Sequence, residues 1–285
     1  DLIEKLMQTN PELVIYPFSE GNVNIFTPHV SKPPFDDIRV RHAMQMALDL
    51  ETVNNSYFTG YGDTTPMGVI ATDGFYIPFE EWTQEVKKAY TYDPEGAEKL
   101  LDEAGYPRGS DGIRFKFVYK HVDTSDISFT ELIAAYWRKI GVEMDIEIFN
   151  YTQRGEALRT KEFDMISTRT AGIADPIMMV EQFNSKGMWN AVAANDPVYD
   201  ALYEKALAVS TFEEQKPLAI EMDMYVIKKH WVIWGPDTPE FNVVQPWIKG
   251  YNGEAHMGNH QFHSKFLLGL IMFRFPFFLT FETFR

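Results

Sequence analysis

The segment 163–176, FDMISTRTAGIADP, carries the residues best suited to binding a charged ligand. Its first half alternates like a strand, and its second half is a turn of small residues that ends at Asp175. In open α/β sheets, ligands bind beyond the carboxyl ends of the strands, where Asp175 can receive a cation or an ammonium group. Taken alone, Asp175-Pro176 is more typical of a helix N-cap followed by proline than of a ligand site, and ligand binding stays the alternative.

Three histidines, His256, His260 and His263, are spaced four and three residues apart. On a helix they would share one face, which is the spacing of metal ligands. Gly253 and Gly258 disfavour one continuous helix, so the sequence favours a polar surface stretch. We expect no protein-bound metal ion and no cofactor.

No established catalytic motif occurs in the sequence: G-x-S-x-G, the P-loop, H-E-x-x-H and G-x-G-x-x-G are all absent. The adjacent acids at 36–37 and 80–81 are better explained by helix capping. A hydrolase that uses cleft carboxylates stays as an alternative, and Asp164 and Asp175 are the acids that it would use.

Composition limits the partners of the chain. Its 285 residues are 45% apolar and 24% charged, which is typical of a globular protein of one large domain or two ordinary ones. The net charge of −15 argues against nucleic acid or an anionic membrane as the main partner. Cysteine is absent, which excludes disulfides and thiolate chemistry.

Capping residues predict where the helices begin, and one glycine predicts where a helix ends. The helix after Asp36 or Asp37 presents an apolar face, and Gly105 ends the helix that follows Asp93. The predicted helix starts are Asp36 or Asp37, Asp93-Pro94, the capping box Ser128 with Glu131, Asp196-Pro197, and the capping box Thr211 with Glu214.

Alternating apolar residues predict strands at 113–120 and 142–149, and further strands at 163–169 and 231–234. A helix at 128–140 separates the first two strands, so the three elements form a βαβ unit with parallel strands. The architecture is therefore α/β.

Two long, ordered motifs carry a resemblance to a known family. The segment 32–49, KPPFDDIRVRHAMQMALD, resembles the signature PPFDD-x-RVR-x-A…A-x-D. The segment 92–106, YDPEGAEKLLDEAGY, resembles YDPEKAKKLLAEAGY, and 245–254, QPWIKGYNGE, is similar to a closing segment of one subgroup. These are signatures of family 5 extracellular solute-binding proteins, the peptide, dipeptide and nickel receptors of ABC importers.

The resemblance implies a transport receptor and not an enzyme. Such a receptor captures a peptide or similar small solute in a cleft between two lobes and delivers it to a membrane permease. A nickel or metal-chelate receptor of the same family is the alternative. The resemblance also implies a periplasmic or extracellular location, membrane association through the transporter or through a lipid anchor outside this chain, and a monomer when full length.

The implied fold is a type II periplasmic-binding-protein-like lobe with a mixed sheet and flanking helices, and the chain corresponds to the C-terminal part of the receptor. Residues 266–281, FLLGLIMFRFPFFLTF, are too short for a membrane span and contain a charge and a proline. The expected parts are the end of the first lobe and the hinge crossing (1–28), the second α/β lobe (29–240), a return segment (241–265) and an atypical apolar tail (266–285).

The resemblance also assigns roles in ligand binding. It places Asp175 against the α-ammonium of a peptide, with Arg169 six residues before this acid, and it places Arg159 at a basic position used for ligand carboxylates. The tryptophan usual in this turn is absent, and the spacing is shifted by one residue. The implied ligand-binding residues are Asp175, Arg169, Arg159, Tyr151, Gly172 and Ile173.

Overall fold

The structure is a computed structural model. Its chain divides into a smaller unit, Asp1–Glu20 with Glu240–Arg285, and a larger unit, Gly21–Pro239. The three histidines near the C-terminal end and most of the apolar tail lie outside the described residues. The structure describes 2–18, 23–70, 74–123, 125–169, 175–187, 189–251 and 267–268.

The larger unit holds most of the regular elements. The described helices are α1 (Leu2–Thr9), α2 (Ile38–Met46), α3 (Leu50–Tyr57), α4 (Gln84–Lys88), α5 (Pro94–Glu103), α6 (Ile127–Lys139), α7 (Tyr151–Thr160), α8 (Pro176–Val180), α9 (Pro197–Ala208) and α10 (Phe212–Lys229). The strands are β1 (Val14–Phe18), β2 (Val23–Pro28), β3 (Phe115–Val122), β4 (Val142–Phe149), β5 (Met165–Arg169), β6 (Ile233–Asp237), β7 (Glu240–Val244), β8 (Ile248–Lys249) and β9 (Leu267–Leu268). Within the described ranges, none of these helices combines the length and the apolar content that a membrane span requires.

In the smaller unit, β1 pairs with β7 in antiparallel register, from Val14 opposite Val244 to Phe18 opposite Glu240. The ring of Tyr16 packs edge-on against that of Tyr251, with centroids 5.0 Å apart. Strands β8 and β9 form a second antiparallel pair.

The larger unit is built on a five-stranded sheet in the order β4-β3-β5-β2-β6. Strand β3 is parallel to both β4 and β5, which confirms the parallel pairing of the predicted βαβ unit. Strand β2 lies between β5 and β6 and is antiparallel to both. The predicted α/β class with a mixed sheet is therefore confirmed.

Helices cover both faces of this sheet. Ile25 and Phe26 are consecutive in β2, so their side chains point to opposite faces. Ile25 packs into the core that contains α9 and α10, and Phe26 into the core that contains α2, α5 and α6. Both side chains are 2% exposed, which is the pattern of a strand buried on its two faces.

Most of the predicted helix ends are confirmed. Asp37, Asp93, Asp196 and Thr211 are N-caps whose side chains accept first-turn backbone N–H groups. Gly105 follows α5 with φ of +90°, the left-handed conformation expected of a helix-ending glycine.

The predicted capping box of Ser128 with Glu131 is wrong. The N-cap of α6 is Asp126, whose carboxylate accepts the Ser128 N–H at 2.8 Å. A carboxylate two residues ahead of Ser128 both bonds the free N–H and complements the positive helix end, so the helix starts earlier than predicted.

The carboxylate of Asp223 in α10 holds the backbone of Val69 and Ile70. This side chain is fully buried, and its Oδ1 accepts the N–H of Val69 at 2.7 Å and that of Ile70 at 3.2 Å. Burial raises the pKa of Asp223 to about 7, although these two hydrogen bonds lower it. A Cβ at Gly68 would lie 1.8 Å from Oδ2, so only glycine fits beside this carboxylate.

We expect Gly105→Ala to lower the free energy of unfolding by about 1 kcal/mol, because alanine is strained at positive φ. No atom lies within 4 Å of the added Cβ, so the loss reports backbone strain alone. The control is Gly155→Ala in α7, where the Cβ also meets no atom within 4 Å and alanine should stabilise by roughly 0.5–1 kcal/mol. Denaturant melts in which both variants shift in the same direction would contradict the assigned helix end.

We expect Asp223→Asn to remove a pH dependence of stability. Because the pKa of Asp223 is raised in the folded state, the folded chain binds more protons than the unfolded chain between about pH 4 and pH 7. This group therefore lowers stability as pH rises through that window, by on the order of 4 kcal/mol in total. Burial lowers the pKa of His29 and that of His42 to about 4, so these groups also change stability in this window. The measured quantity is therefore the difference between wild type and Asp223→Asn in denaturant melts at each pH.

The matched control is Glu221→Gln, which removes an exposed acid from the same helix. A stability difference between wild type and Asp223→Asn that stays constant from pH 4 to pH 7 would show that Asp223 is already charged at low pH.

Candidate functional site

Three parallel strands end at one edge of the sheet, and each leads to the start of a helix. Because β3, β4 and β5 run in the same direction, their carboxyl ends meet there, and this carboxyl edge is the place where α/β sheets bind ligands. The free N–H groups at the starts of α6 and α7 lie at the same edge. The N-caps of α6, α7 and α8 are Asp126, Asn150 and Asp175.

Asp175 uses one of its two carboxylate oxygens as a cap. Its Oδ1 accepts the N–H of Ile177 at 2.8 Å and that of Met178 at 3.4 Å. Its Oδ2 makes no hydrogen bond or ion pair with the part of the chain that the structure describes, and the side chain is exposed. The capping interpretation is therefore confirmed, and it leaves one charged oxygen available to a ligand.

Tyr151 is the first residue of α7 and is 64% exposed at the carboxyl edge. Arg169 is the last residue of β5, opposite Asn24 of β2, and only its backbone is described. Gly172 and Ile173 lie outside the described residues. The structure thus places Tyr151 and the end of β5 at one edge of the sheet. Asp175 follows β5 along the chain, after residues that the structure does not describe.

Arg159 lies at the other end of α7. Its side chain is 70% exposed, and its guanidinium pairs with Glu156 at 2.5 Å. A helix rises 1.5 Å per residue, so Arg159 is about 12 Å along the axis from Tyr151 and closer to the start of β5. The structure does not bring these two residues together, and a ligand role for Arg159 stays a prediction.

The two acids of the hydrolase alternative are separated. Asp164 precedes β5, and its Oδ2 accepts the N–H of Val118 in β3 at 3.0 Å. Asp175 follows β5. The Asp164 carboxylate thus stabilises the sheet. Within the described residues, Asp164 and Asp175 bond to different backbone groups and form no carboxylate pair.

Sequence analysis did not single out Arg154, which lies in α7 three residues after Tyr151. It is half-buried, and its Nε donates to the carbonyl of Ser167 in β5 at 3.0 Å. Burial lowers the pKa of this guanidinium, which nevertheless stays charged at neutral pH. No local pattern marks Arg154, because its environment depends on the neighbouring strand.

A cavity of about 130 Å³ opens at the same edge. Tyr57, Phe58 and Phe129 pack against one another there, with ring centroids 5.0–5.7 Å apart. Asp126 accepts the hydroxyl of Tyr57, and this hydrogen bond lowers the pKa of Asp126 and keeps its carboxylate charged. The cavity is lined by Ile25, Phe26, Tyr57, Phe58, Tyr119, His121, Ser125, Asp126, Phe129, Thr130, Ser167, Thr168 and Thr238.

The sequence profile of the bacterial extracellular solute-binding proteins, family 5 Middle, matches residues 2–191. The chain belongs to this family. Within this family 5 chain, the match includes both signature motifs and the carboxyl edge up to and beyond Asp175.

Curated relatives of the family 5 chain include two proteins named for the binding of different solutes. Heme-binding protein A of Haemophilus influenzae is 28% identical over 258 residues, which are 86% of this chain and 44% of the relative. The periplasmic oligopeptide-binding protein OppA of Escherichia coli is 26% identical over 242 residues, 80% of this chain and 42% of the relative. The chain therefore spans about half the length of the curated relatives it matches.

Solved structures show the same fold. The periplasmic binding protein DppA from Helicobacter pylori, in complex with the peptide STSA, has a TM-score of 0.73 at 22% identity, over 94% of this chain and 51% of that one. NikA from Brucella suis, in complex with Fe(III)-EDTA, has a TM-score of 0.72 at 19% identity, over 88% and 52%. The family 5 chain thus has the fold of these periplasmic binding proteins.

We expect Asp175→Ala to lower the free energy of unfolding by about 1 kcal/mol, because it removes the cap of α8. Asp175→Asn should change it by only a few tenths, since asparagine also offers a capping oxygen. Thermal melts of both variants check this. Equal losses in the two variants would show that the negative charge, and not the capping hydrogen bond, stabilises this helix start.

Proposed function

We propose that the chain is part of the substrate-binding component of an ABC importer, which captures a peptide or similar small solute in a cleft between two lobes. The observation that carries the proposal is the exposed Asp175 carboxylate at the start of the helix that follows β5, in a chain of a solute-binding family. The Asp175 carboxylate caps α8 through Oδ1, which holds the side chain in place, and Oδ2 stays available for a positive group. A charge-assisted hydrogen bond to an ammonium group is stronger than one between neutral groups.

The relatives support a peptide as the solute. OppA of Escherichia coli is named as an oligopeptide-binding protein, and the DppA structure holds a peptide. We therefore place the α-ammonium of a peptide at Asp175 and the peptide backbone along the end of β5. The residues proposed to bind the ligand are Asp175, Arg169, Tyr151, Gly172 and Ile173, with Arg159 at a second basic position.

A metal-chelate receptor is the second candidate, favoured by the likeness to NikA with its bound Fe(III)-EDTA. In the described part of the chain, no three histidine or acidic side chains are grouped closely enough to hold a bare metal ion. Under this second candidate the solute is accordingly a metal that carries its own chelator.

The proposal extends to the partners and the parts of the whole protein. The larger unit, Gly21–Pro239, supports the second lobe, predicted over 29–240, and 1–28 and 241–265 would connect it to the first lobe. Residues 266–285 are an atypical apolar tail. A receptor of this kind works as a monomer in the periplasm or outside the cell and passes its solute to a membrane permease. It associates with the membrane through this transporter or through a lipid anchor outside this chain.

We expect Asp175→Asn to weaken the binding of a peptide with a free N-terminus by roughly 30-fold or more, because a buried ammonium loses its counter-charge. Calorimetric titration with trialanine measures this, and N-acetylated trialanine should bind wild type and variant equally weakly. Asp93→Asn is the matched control, since it removes the charge of another Asp-Pro helix cap outside the proposed site.

Native mass spectrometry after gentle purification tests the ligand class independently. A co-purifying peptide supports the first candidate, and a metal chelate supports the second. An Asp175→Asn variant that keeps wild-type affinity within threefold and wild-type stability would limit Asp175 to its capping role and overturn the assignment of this site.

A further inference from the structure

Arg154 is a half-buried cation without an anionic partner in the described residues. Its one hydrogen bond there is the Nε–Ser167 carbonyl contact at 3.0 Å. The described titratable groups that act on its charge are the phenols of Tyr119 and Tyr151, and neither is a carboxylate. The chain carries 41 acidic residues, so the lack of a carboxylate beside this arginine is not caused by a shortage of acids.

Other buried arginines of the larger unit are compensated. Arg114 is 2% exposed at its side chain and contacts the carboxylates of Glu98 at 3.0 Å and Asp102 at 2.5 Å. Arg41 is 4% exposed, and its guanidinium donates to three backbone carbonyls. Among the described residues, Arg154 has one carbonyl partner for a group with five N–H donors, so its terminal nitrogens retain hydrogen-bonding capacity there.

The position of Arg154 coincides with the carboxyl edge. Residues three apart on a helix are neighbours on its surface, so Arg154 lies beside Tyr151 in the first turns of α7. The bond to Ser167 joins Arg154 to β5, two residues before the strand ends. This bond restrains the long side chain, so a ligand that binds the guanidinium loses less conformational entropy.

We propose that Arg154 binds a carboxylate of the solute through its terminal nitrogens. A guanidinium matches a carboxylate with two parallel N–H···O bonds, and a partly desolvated site strengthens this charge pair. The inference rests on the proposed function, because it assigns one more group of the same solute, and it moves the carboxylate contact from Arg159, which pairs with Glu156, to Arg154. The acidic surface then repels free anions, while the Arg154 guanidinium favours solutes that bear a carboxylate.

The first test needs no natural solute. The Nε–H resonance of Arg154 is followed by NMR while the chain is titrated with N-acetylalanine or with N-acetylalanine amide. We expect the acid to shift this resonance and the amide to leave it unchanged. A resonance that does not respond to the acid up to tens of millimolar would overturn the inference, whether or not the chain binds peptides.

The second test compares trialanine with trialanine amide by calorimetry. We expect wild type to prefer the free acid by about tenfold and Arg154→Gln to show no preference. The matched control is Arg138→Gln, which removes an exposed arginine paired with Glu143 and should keep the tenfold preference. Thermal melts verify that Arg154→Gln is folded.

The outcomes separate this inference from the proposed function. Equal losses for acid and amide in Arg154→Gln would show that Arg154 only joins α7 to β5, and a preference lost in Arg159→Gln alone would assign the carboxylate to Arg159. Either result overturns the inference and leaves the peptide receptor intact. An acid-dependent NMR shift without any binding of trialanine would support Arg154 and contradict the peptide proposal.

Discussion

The parallel register of β3 with β4 and β5 is the constraint on which the candidate site depends. Eight residue pairs, from Phe115 opposite Val142 to Val122 opposite Phe149, align β3 with β4, so both strands end together. Each strand must then return through a helix on a face of the sheet, and that helix starts where the strand ends. One hydrogen-bonding pattern thus brings the starts of α6 and α7, and the polar side chains of their first turns, to a single edge.

Side chains of α2 stabilise the far side of the same unit by bonding to backbone groups. The amide of Gln45 accepts from the N–H of Trp234 at 2.7 Å and donates to its carbonyl at 3.1 Å, so it pairs with the edge strand β6 as another strand would. Arg41 donates to the carbonyls of Lys229 and His230, which end α10. These buried hydrogen bonds hold helix α2 to both β6 and α10.

Local chemistry made part of this structure predictable from sequence. The caps at Asp93 and Asp196 and the stop at Gly105 depend on a few adjacent residues, so their patterns identify them directly. The start of α6 was misplaced because Asp126 and Ser128 both have capping side chains, and the pattern alone does not rank them. Strand β2 was not predicted, since its alternation is short and its burial comes from strands distant in the chain.

The candidate site was predictable to a similar degree. The turn at Asp175 stood out by its composition, and the resemblance to a family supplied its proposed ligand. Arg154 had no such pattern, because an arginine in the first turns of a helix is ordinary until its partners are known. The hydrogen bond to Ser167, and the absence of a carboxylate from the described surroundings, are properties of the packed helix and strand.

The central place of β2 in the sheet has a consequence for how the larger unit folds. Ile25 of β2 lies opposite Thr168 of β5 on one side and opposite Trp234 of β6 on the other. Strands that are far apart in the chain therefore complete the sheet. During synthesis, β2 emerges from the ribosome long before either partner. Its apolar residues, Ile25 and Phe26, stay exposed in the nascent chain until β5 and β6 arrive. Such long-range pairing slows folding, so the sheet of the larger unit is completed only after β6 has been synthesised.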